Sequence, residues 1–126
     1  MKAFDNARLR DARGTTAVEF AIIAPVFMLM VVGTLYLCML LFTVGSLQYA
    51  VEESARCAAV KSTICSDSPS TISYAQNHFY GSGILTPTFT YTALTCGYQV
   101  KASASYIFNF GQSTMTVPIS AQACFP

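Results

Sequence analysis

The fold of this chain is decided by one uncharged stretch near the N-terminus, 20-FAIIAPVFMLMVVGTLYLCMLLF-42, which is apolar apart from Pro25, Gly33 and Thr34. As a helix, a stretch of this length extends about 35 Å, and the hydrocarbon core of a bilayer is about 30 Å thick. A buried helix of a soluble protein rarely stays apolar for so long. The stretch therefore predicts a transmembrane helix.

The composition favours a membrane-anchored chain with one small domain. The chain has 126 residues, of which 53% are apolar and 10% are charged, whereas soluble proteins average about 25% charged residues. The net charge is +1, and only seven residues are Lys or Arg. Phosphate binding requires clusters of these residues, so we expect no nucleic-acid partner.

The charges on either side of the apolar stretch predict its orientation. Arg8, Arg10 and Arg13 precede it, and Glu52 and Glu53 follow it. By the positive-inside rule, the N-terminus should be cytoplasmic and the remainder should lie across the membrane. A cleaved secretory signal is the alternative, because residues 44–46 (Val-Gly-Ser) form an acceptable cleavage triplet. The apolar region of such a signal spans only about 7 to 15 residues, however.

Four of the five cysteines lie beyond the apolar stretch, which suits disulfides in an oxidising compartment. Of the three possible pairings we favour Cys57 with Cys65 and Cys96 with Cys124. The first would close the loop after the helix, and the second would tie the start of the sheet to the C-terminus. The spacings are unlike those of zinc sites, so we expect no metal. Cys38 lies within the apolar stretch and is expected to stay free.

The outer part is predicted to begin with a continuation of the long helix. Small and apolar residues recur at helical spacing until the helix ends near residues 61–63; they are Leu47, Val51, Ser54, Ala55 and Ala58. A second helix is predicted over residues 69–80, with Ser68 as its N-cap and Pro69 in its first turn. Its buried side chains would be Ile72, Ala75 and Phe79.

Three later segments alternate apolar and polar residues, which is typical of half-buried strands. They cover residues 88–93, 98–110 and 115–123, and a hairpin loop of residues 111–113 (Gly-Gln-Ser) joins the last two. Short connections favour antiparallel pairing. The predicted fold is α+β: a long N-terminal transmembrane helix extends into a small domain with a short helix and a three-stranded antiparallel sheet. The long helix would cover the apolar face of that sheet.

The start of the apolar stretch carries a glycine and an acid, Gly14 and Glu19. A carboxylate at that depth is unfavourable unless it is paired or reaches the interface. In one interpretation, Gly14 is a flexible joint and Glu19 merely marks the membrane boundary. The segment Arg13–Phe20 also resembles the class III signal of type IV pilin-like proteins.

That resemblance implies cleavage by a prepilin peptidase between Gly14 and Thr15, with Glu19 as the fifth residue of the mature chain. Phe20 stands where the Flp-type branch carries an aromatic residue. Cleavage would create an α-amino cation at Thr15, which Glu19 of a neighbouring subunit could pair with to fix the axial register. Pro25 would bend the helix, because it frees the carbonyl of Ala21.

The resemblance extends to TadE-like pseudopilins of tight-adherence (Flp) pilus systems. Residues 17–27 (AVEFAIIAPVF) are similar to the opening of that family, and residues 50–59 (AVEESARCAA) resemble its second landmark, an Arg in an Ala-rich helix. A processed chain from Thr15 to Pro126 exceeds the major pilin in length, which implies a minor pseudopilin with a type IV pilin-like fold. A TadF-like role stays open.

The resemblance therefore implies a leader (1–14), a transmembrane helix (15–46) and a periplasmic α+β domain (47–126). The expected partners are a prepilin peptidase, other pilus subunits, the inner-membrane assembly platform and membrane lipid. The expected location is the bacterial inner membrane, with the possibility of incorporation into a surface pilus. No cofactor is expected.

We expect no enzymatic activity. The chain has a single histidine, His78, and the sequence offers no nucleophile and orienting acid that could act together with it. The alternative function is an uncleaved single-pass membrane-anchored binding or sensing domain. An envelope enzyme is a third and less favoured interpretation.

Overall fold

The computed structural model describes the backbone of residues 2–126 and the side chains of residues 14–109 and 111–126. The elements are, in chain order, α1 (Lys2–Val60), α2 (Ser68–Asn77), β1 (Thr88–Leu94), β2 (Gly97–Phe110) and β3 (Ser113–Phe125). The chain divides into two compact units, Met1–Cys38 and Met39–Pro126. The predicted α+β class is confirmed, with a long apolar helix, a short helix and a three-stranded antiparallel sheet.

The first unit consists of α1 alone. From Gly14 to Val60 this helix is long and apolar enough to cross a membrane. Its large apolar side chains point outward, with Phe20 72% exposed and Leu29 74% exposed. The hydroxyl of Thr34 donates a 2.7 Å hydrogen bond to the carbonyl of Met30, so this polar group is satisfied without water. A helix with these properties fits a hydrocarbon environment.

In the second unit, one face of α1 covers the sheet. Leu47, Ala50, Val51 and Ala55 form a single apolar core with residues of α2 and of all three strands. The face predicted from helical spacing is therefore confirmed, and it extends further toward the membrane span than expected. Thr43 and Ser46 are also buried on it; they continue the spacing of three and four residues.

The second helix begins one residue earlier than predicted, because Asp67 and not Ser68 is its N-cap. The Asp67 carboxylate accepts a 3.0 Å hydrogen bond from the Ser70 N–H, and the Ser70 hydroxyl accepts one of 3.2 Å from the Asp67 N–H. This reciprocal arrangement is a capping box. The helix ends at Asn77, so Phe79 lies beyond it, where its ring is still buried in the core.

Two hydrogen bonds tie the α2 region to α1. The Tyr74 hydroxyl donates to a Glu53 carboxylate oxygen at 3.3 Å, and the Tyr80 N–H donates to the Ser46 hydroxyl at 2.8 Å. Burial, followed by the charge of Glu53, raises the pKa of Tyr74 above its ordinary value of 10.0. The phenol is therefore neutral and able to donate at physiological pH. Helix α1 ends at Val60, one residue before the predicted range.

The sheet has the order β1-β2-β3, and both neighbouring pairs are antiparallel. The predicted alternation is confirmed in β2, where Val100, Ala102, Tyr106 and Phe108 are buried and the odd-numbered residues between them are exposed. The strands differ greatly in extent. β1 pairs only with residues 97–103 of β2, whereas β3 pairs with residues 98–110.

The loop between β2 and β3 is shorter than predicted. Phe110 pairs with Ser113, so the loop is Gly111-Gln112 and Ser113 belongs to β3. Gly111 has a φ of 62°, which suits a tight two-residue hairpin. Glycine is also required at residue 97, where φ is 118° and a Cβ atom would collide with the carbonyl oxygen of Phe125.

The N-cap of α2 should give the domain a measurable acid sensitivity. Hydrogen bonds from the Ser70 side chain and then its backbone N–H lower the pKa of Asp67 below its ordinary 3.8. A lowered folded-state pKa adds stability above the unfolded-state pKa, and that stability is lost as pH falls through the folded value. Asp67→Ala should therefore lower the melting temperature near neutral pH, and by progressively less below about pH 4.

Thermal unfolding in detergent, followed by circular dichroism at several pH values, measures this effect. Ser66→Ala is the matched control, because it alters a neighbouring exposed residue that lies outside the cap. A difference between Asp67→Ala and the parent that stayed constant down to about pH 2 would contradict the assigned cap.

Candidate functional site

The four residues predicted to act in processing and assembly lie together on α1 in the first unit. Gly14, Thr15, Glu19 and Phe20 are all exposed. Thr15 and Glu19 are four residues apart, so they share one face of the helix with an axial separation of about 6 Å. The side chains of Arg8, Arg10 and Arg13, on which the predicted orientation depends, lie outside the described residues.

None of the described residues packs closely against Gly14. It occupies an interior position of α1, and a Cβ atom there would meet no atom within 4 Å. Glycine in the interior of a helix lowers the stability of the helix by about 0.5 to 1 kcal/mol relative to alanine. Packing and backbone conformation therefore do not explain why glycine stands at this position.

Glu19 is isolated in the apolar surface of the first unit. It precedes a run of 32 uncharged residues, from Phe20 to Val51, and its exposed neighbours Val18 and Phe20 are large and apolar. A carboxylate so placed faces either the membrane interface or another molecule. The backbone continues as helix through Pro25, and the predicted bend at that residue stays a prediction.

The second unit contains the two disulfides that were favoured from the sequence. Cys57 is bonded to Cys65, with their Cα atoms 5.8 Å apart, and Cys96 is bonded to Cys124, with a Cα separation of 6.2 Å. The first closes the turn between α1 and α2. The second joins the β1–β2 turn to the end of β3. Cys38 is a free, exposed cysteine.

Clefts in the second unit carry little catalytic chemistry. One cleft, of about 930 Å³, lies between residues 84–88 and the sheet and is lined mainly by hydroxyl-bearing and apolar residues. Another, of about 520 Å³, runs between α1 and β3, where Glu52, Glu53 and Arg56 line it. Within residues 14–109 and 111–126, no three His, Cys, Asp or Glu side chains are grouped so that they could hold a metal ion.

The single histidine is engaged in local packing. Its Nδ1 lies 2.9 Å from the carbonyl oxygen of Tyr74, and its ring stacks on the Tyr74 ring at a centroid distance of 4.1 Å. These contacts account for His78 as the C-cap residue of α2. They link it to Tyr74 and not to a nucleophile.

The N-terminal region of the chain is similar to a known protein family. The model of the TadE-like protein family matches residues 14–56. This chain is TadE-like in that region. The match begins at Gly14 and includes Glu19, Phe20 and the Ala-rich segment around Arg56. It indicates a role in a Tad pilus system, alongside other pilus components. No curated protein and no solved structure matches the chain.

The TadE-like match ends near the point where the second unit becomes an α+β domain. It covers the exposed motif residues of the first unit and the buried face of α1 in the second. The sheet lies outside it. Sequence reasoning missed two polar residues on that buried face, Thr43 and Ser46, although their spacing from Leu47 and Ala50 signals them.

Proposed function

We propose that this chain is a minor pseudopilin of a Tad (Flp) adhesive pilus system, processed by a prepilin peptidase between Gly14 and Thr15. The observation that carries the proposal is the start of the TadE-like match at Gly14. The exposed surroundings of Gly14, which give it no packing role, support a requirement imposed by another protein. The proposed role is structural, in pilus assembly, and not enzymatic.

The proposed location is the bacterial inner membrane, with a cytoplasmic N-terminus and a periplasmic second unit. The exposed apolar surface of the first unit supports a membrane-spanning segment. Two disulfides in the second unit support an oxidising compartment. The proposed partners are the peptidase, the inner-membrane assembly platform and other pilus subunits.

Glu19 is proposed to fix the axial register of neighbouring subunits. After processing, the α-amino group of Thr15 and the carboxylate of Glu19 would carry opposite charges near one end of the helix. Within one chain their axial separation is about 6 Å, so a neighbour displaced along the helix axis could bring its carboxylate to that amine. A carboxylate in an apolar environment strongly favours such a partner.

Glu19→Ala should leave processing intact and weaken assembly. In the native host, the variant should be recovered at parental length, while its crosslinking to other pilus subunits and the amount of surface pilus both fall. Glu52→Ala is the matched control, since it removes an exposed carboxylate from the same helix in the second unit. Normal assembly by Glu19→Ala would contradict the proposed register role.

A further inference from the structure

The central strand of the sheet has one unpaired edge. β3 pairs with β2 along residues 98–110, but β1 pairs only with residues 97–103. Beyond Ser103, β2 therefore pairs with only one of the described strands, β3. The stretch from Ala104 to Asn109, which we call the open edge, lies where a longer β1 would continue.

The two tight turns determine which backbone groups face this open side. In a two-residue hairpin the residue before the turn accepts a hydrogen bond from the residue after it. Leu94 and Gly97 flank one turn, so the odd-numbered residues of β2 bond to β1. Phe110 and Ser113 flank the other turn, so the even-numbered residues bond to β3.

The N–H and C=O groups of Ser105, Ile107 and Asn109 thus point away from β3. None of the turn and loop hydrogen bonds in the described part of the chain involves these three residues. They present three donors and three acceptors at the spacing of a β-ladder. Such an edge is a template for another strand.

A cleft keeps the open edge accessible. Pro87 immediately precedes β1, and no residue before Thr88 pairs with β2. The chain at Ile84–Thr86 forms the opposite wall of the cleft of about 930 Å³. Strand spacings of about 3.3, 4.8 and 10 Å imply about 160 Å³ for each strand residue, so the cleft has room for a strand of about six residues.

The other two edges of the sheet are blocked. The backbone N–H and C=O groups of the even-numbered β3 residues point away from β2. Pro118 is one of these residues and has no N–H. The outer edge of β1 lies beside α2, which packs against that strand. Proteins protect edges with proline, charge or a covering element, and the open edge has none of these.

The surroundings of the open edge define the chemistry of its partner. No charged side chain follows Lys101 in the sequence. Ser105 and Asn109 are exposed polar residues, and Ile107 is 58% exposed. A segment that alternates apolar and small polar residues matches this lining, whereas a charged segment would lose solvation without gaining a counter-charge.

We propose that the open edge of β2 binds an extended, uncharged segment of another protein as a fourth strand. A second copy of this chain fits poorly. Two identical edges pair antiparallel about a two-fold axis normal to the sheet, with Ile107 opposite Ile107. That axis would run the sheet-covering part of α1 around Leu47–Ala55 in opposite directions in the two copies, whereas copies of one chain inserted in one membrane share one orientation.

The test uses the full chain in its native host, with a photo-crosslinking amino acid at Asn109 as the probe. Ile107→Pro removes an edge N–H that the isolated domain does not use, and Ile107→Ala is the matched control. We expect a predominant adduct with a different protein, mapped to an uncharged extended segment. Ile107→Pro should reduce that adduct about tenfold, while Ile107→Ala should retain it.

Thermal unfolding of both variants in detergent establishes that they fold. If Ile107→Pro is destabilised, Ser105→Pro replaces it, because that residue faces the same side. No adduct, an adduct with a second copy only, or an adduct that tolerates both proline variants would overturn the proposal. Intact mass measured on the same samples reports processing, so a failure of the proposed pseudopilin maturation is seen separately.

Discussion

Gly14→Asp should abolish N-terminal processing, so that the full-length chain accumulates in the membrane. A peptidase that cleaves after Gly14 must hold this residue closely, and an ionised carboxylate there would have to be buried without a counter-charge. The substitution should not disturb the chain itself, because a Cβ atom at Gly14 meets nothing within 4 Å. The effect is therefore attributable to recognition by the peptidase.

The measurement is an immunoblot of native-host membranes, supported by the intact mass of the purified chain. Gly83→Asp is the matched control: it places the same side chain at an exposed glycine of the second unit, where a Cβ atom also has open space. We expect complete processing of Gly83→Asp and none of Gly14→Asp. Equal processing of the two variants would remove the basis for a cleavage site at Gly14.

Loss of the Cys96–Cys124 disulfide should destabilise the second unit strongly, and more than loss of Cys57–Cys65. This bond closes a sequence separation of 28 residues, against 8 for Cys57–Cys65. Chain entropy predicts a loss of about 3 to 4 kcal/mol for the longer loop and about 2 to 3 kcal/mol for the shorter one. For a domain of this size, a loss of about 3 kcal/mol corresponds to roughly 12 to 24 °C in melting temperature.

Calorimetry of Cys96→Ser/Cys124→Ser and Cys57→Ser/Cys65→Ser in detergent measures both effects. Cys38→Ser is the control, since that cysteine is free and exposed and its replacement should leave unfolding of the second unit unchanged. Reduction of the parent should lower its melting temperature at least as far as the Cys96→Ser/Cys124→Ser variant. A double variant within about 2 °C of the parent would contradict the stabilising role given to its disulfide.

The main elements of the fold were predictable because each follows from a local pattern. The uncharged run from Phe20 to Phe42 required a helix, and alternation along β2 required a strand with one buried face. The helical spacing of Leu47 and Val51 predicted the face that covers the sheet. In each case, burial of apolar surface and the period of the backbone give the same answer.

The element boundaries were less predictable, because neighbouring residues offer equivalent chemistry. Asp67 and Ser68 are both good N-caps, and only the reciprocal bonds with Ser70 show that Asp67 serves. A turn of Gly111-Gln112-Ser113 and one of Gly111-Gln112 alone are both compatible with the sequence. The observed register, Phe110 with Ser113, decides between them.

The open edge could not be predicted from the sequence. The lengths of β1 and β2 indicate unequal strands, but which residues lack a partner depends on the register of two separate hairpins. Pro87 and Pro118 were the available signals. They can be interpreted only when the structure shows that Pro87 directly precedes β1 and that the backbone nitrogen of Pro118 faces outward from β3. The opposite holds for the motif at Gly14 and Glu19, which sequence resemblance identifies and the structure alone does not.

The intact mass of the protein extracted from membranes of its native host tests the central claim most directly. Processing after Gly14 predicts a chain that begins at Thr15 and ends at Pro126, with or without a methyl group on the new α-amino group. The full-length mass would contradict processing and identify an uncleaved single-pass anchor. A chain beginning at Leu47 would instead reveal a cleaved secretory signal and a secreted domain, and would contradict the membrane anchor itself.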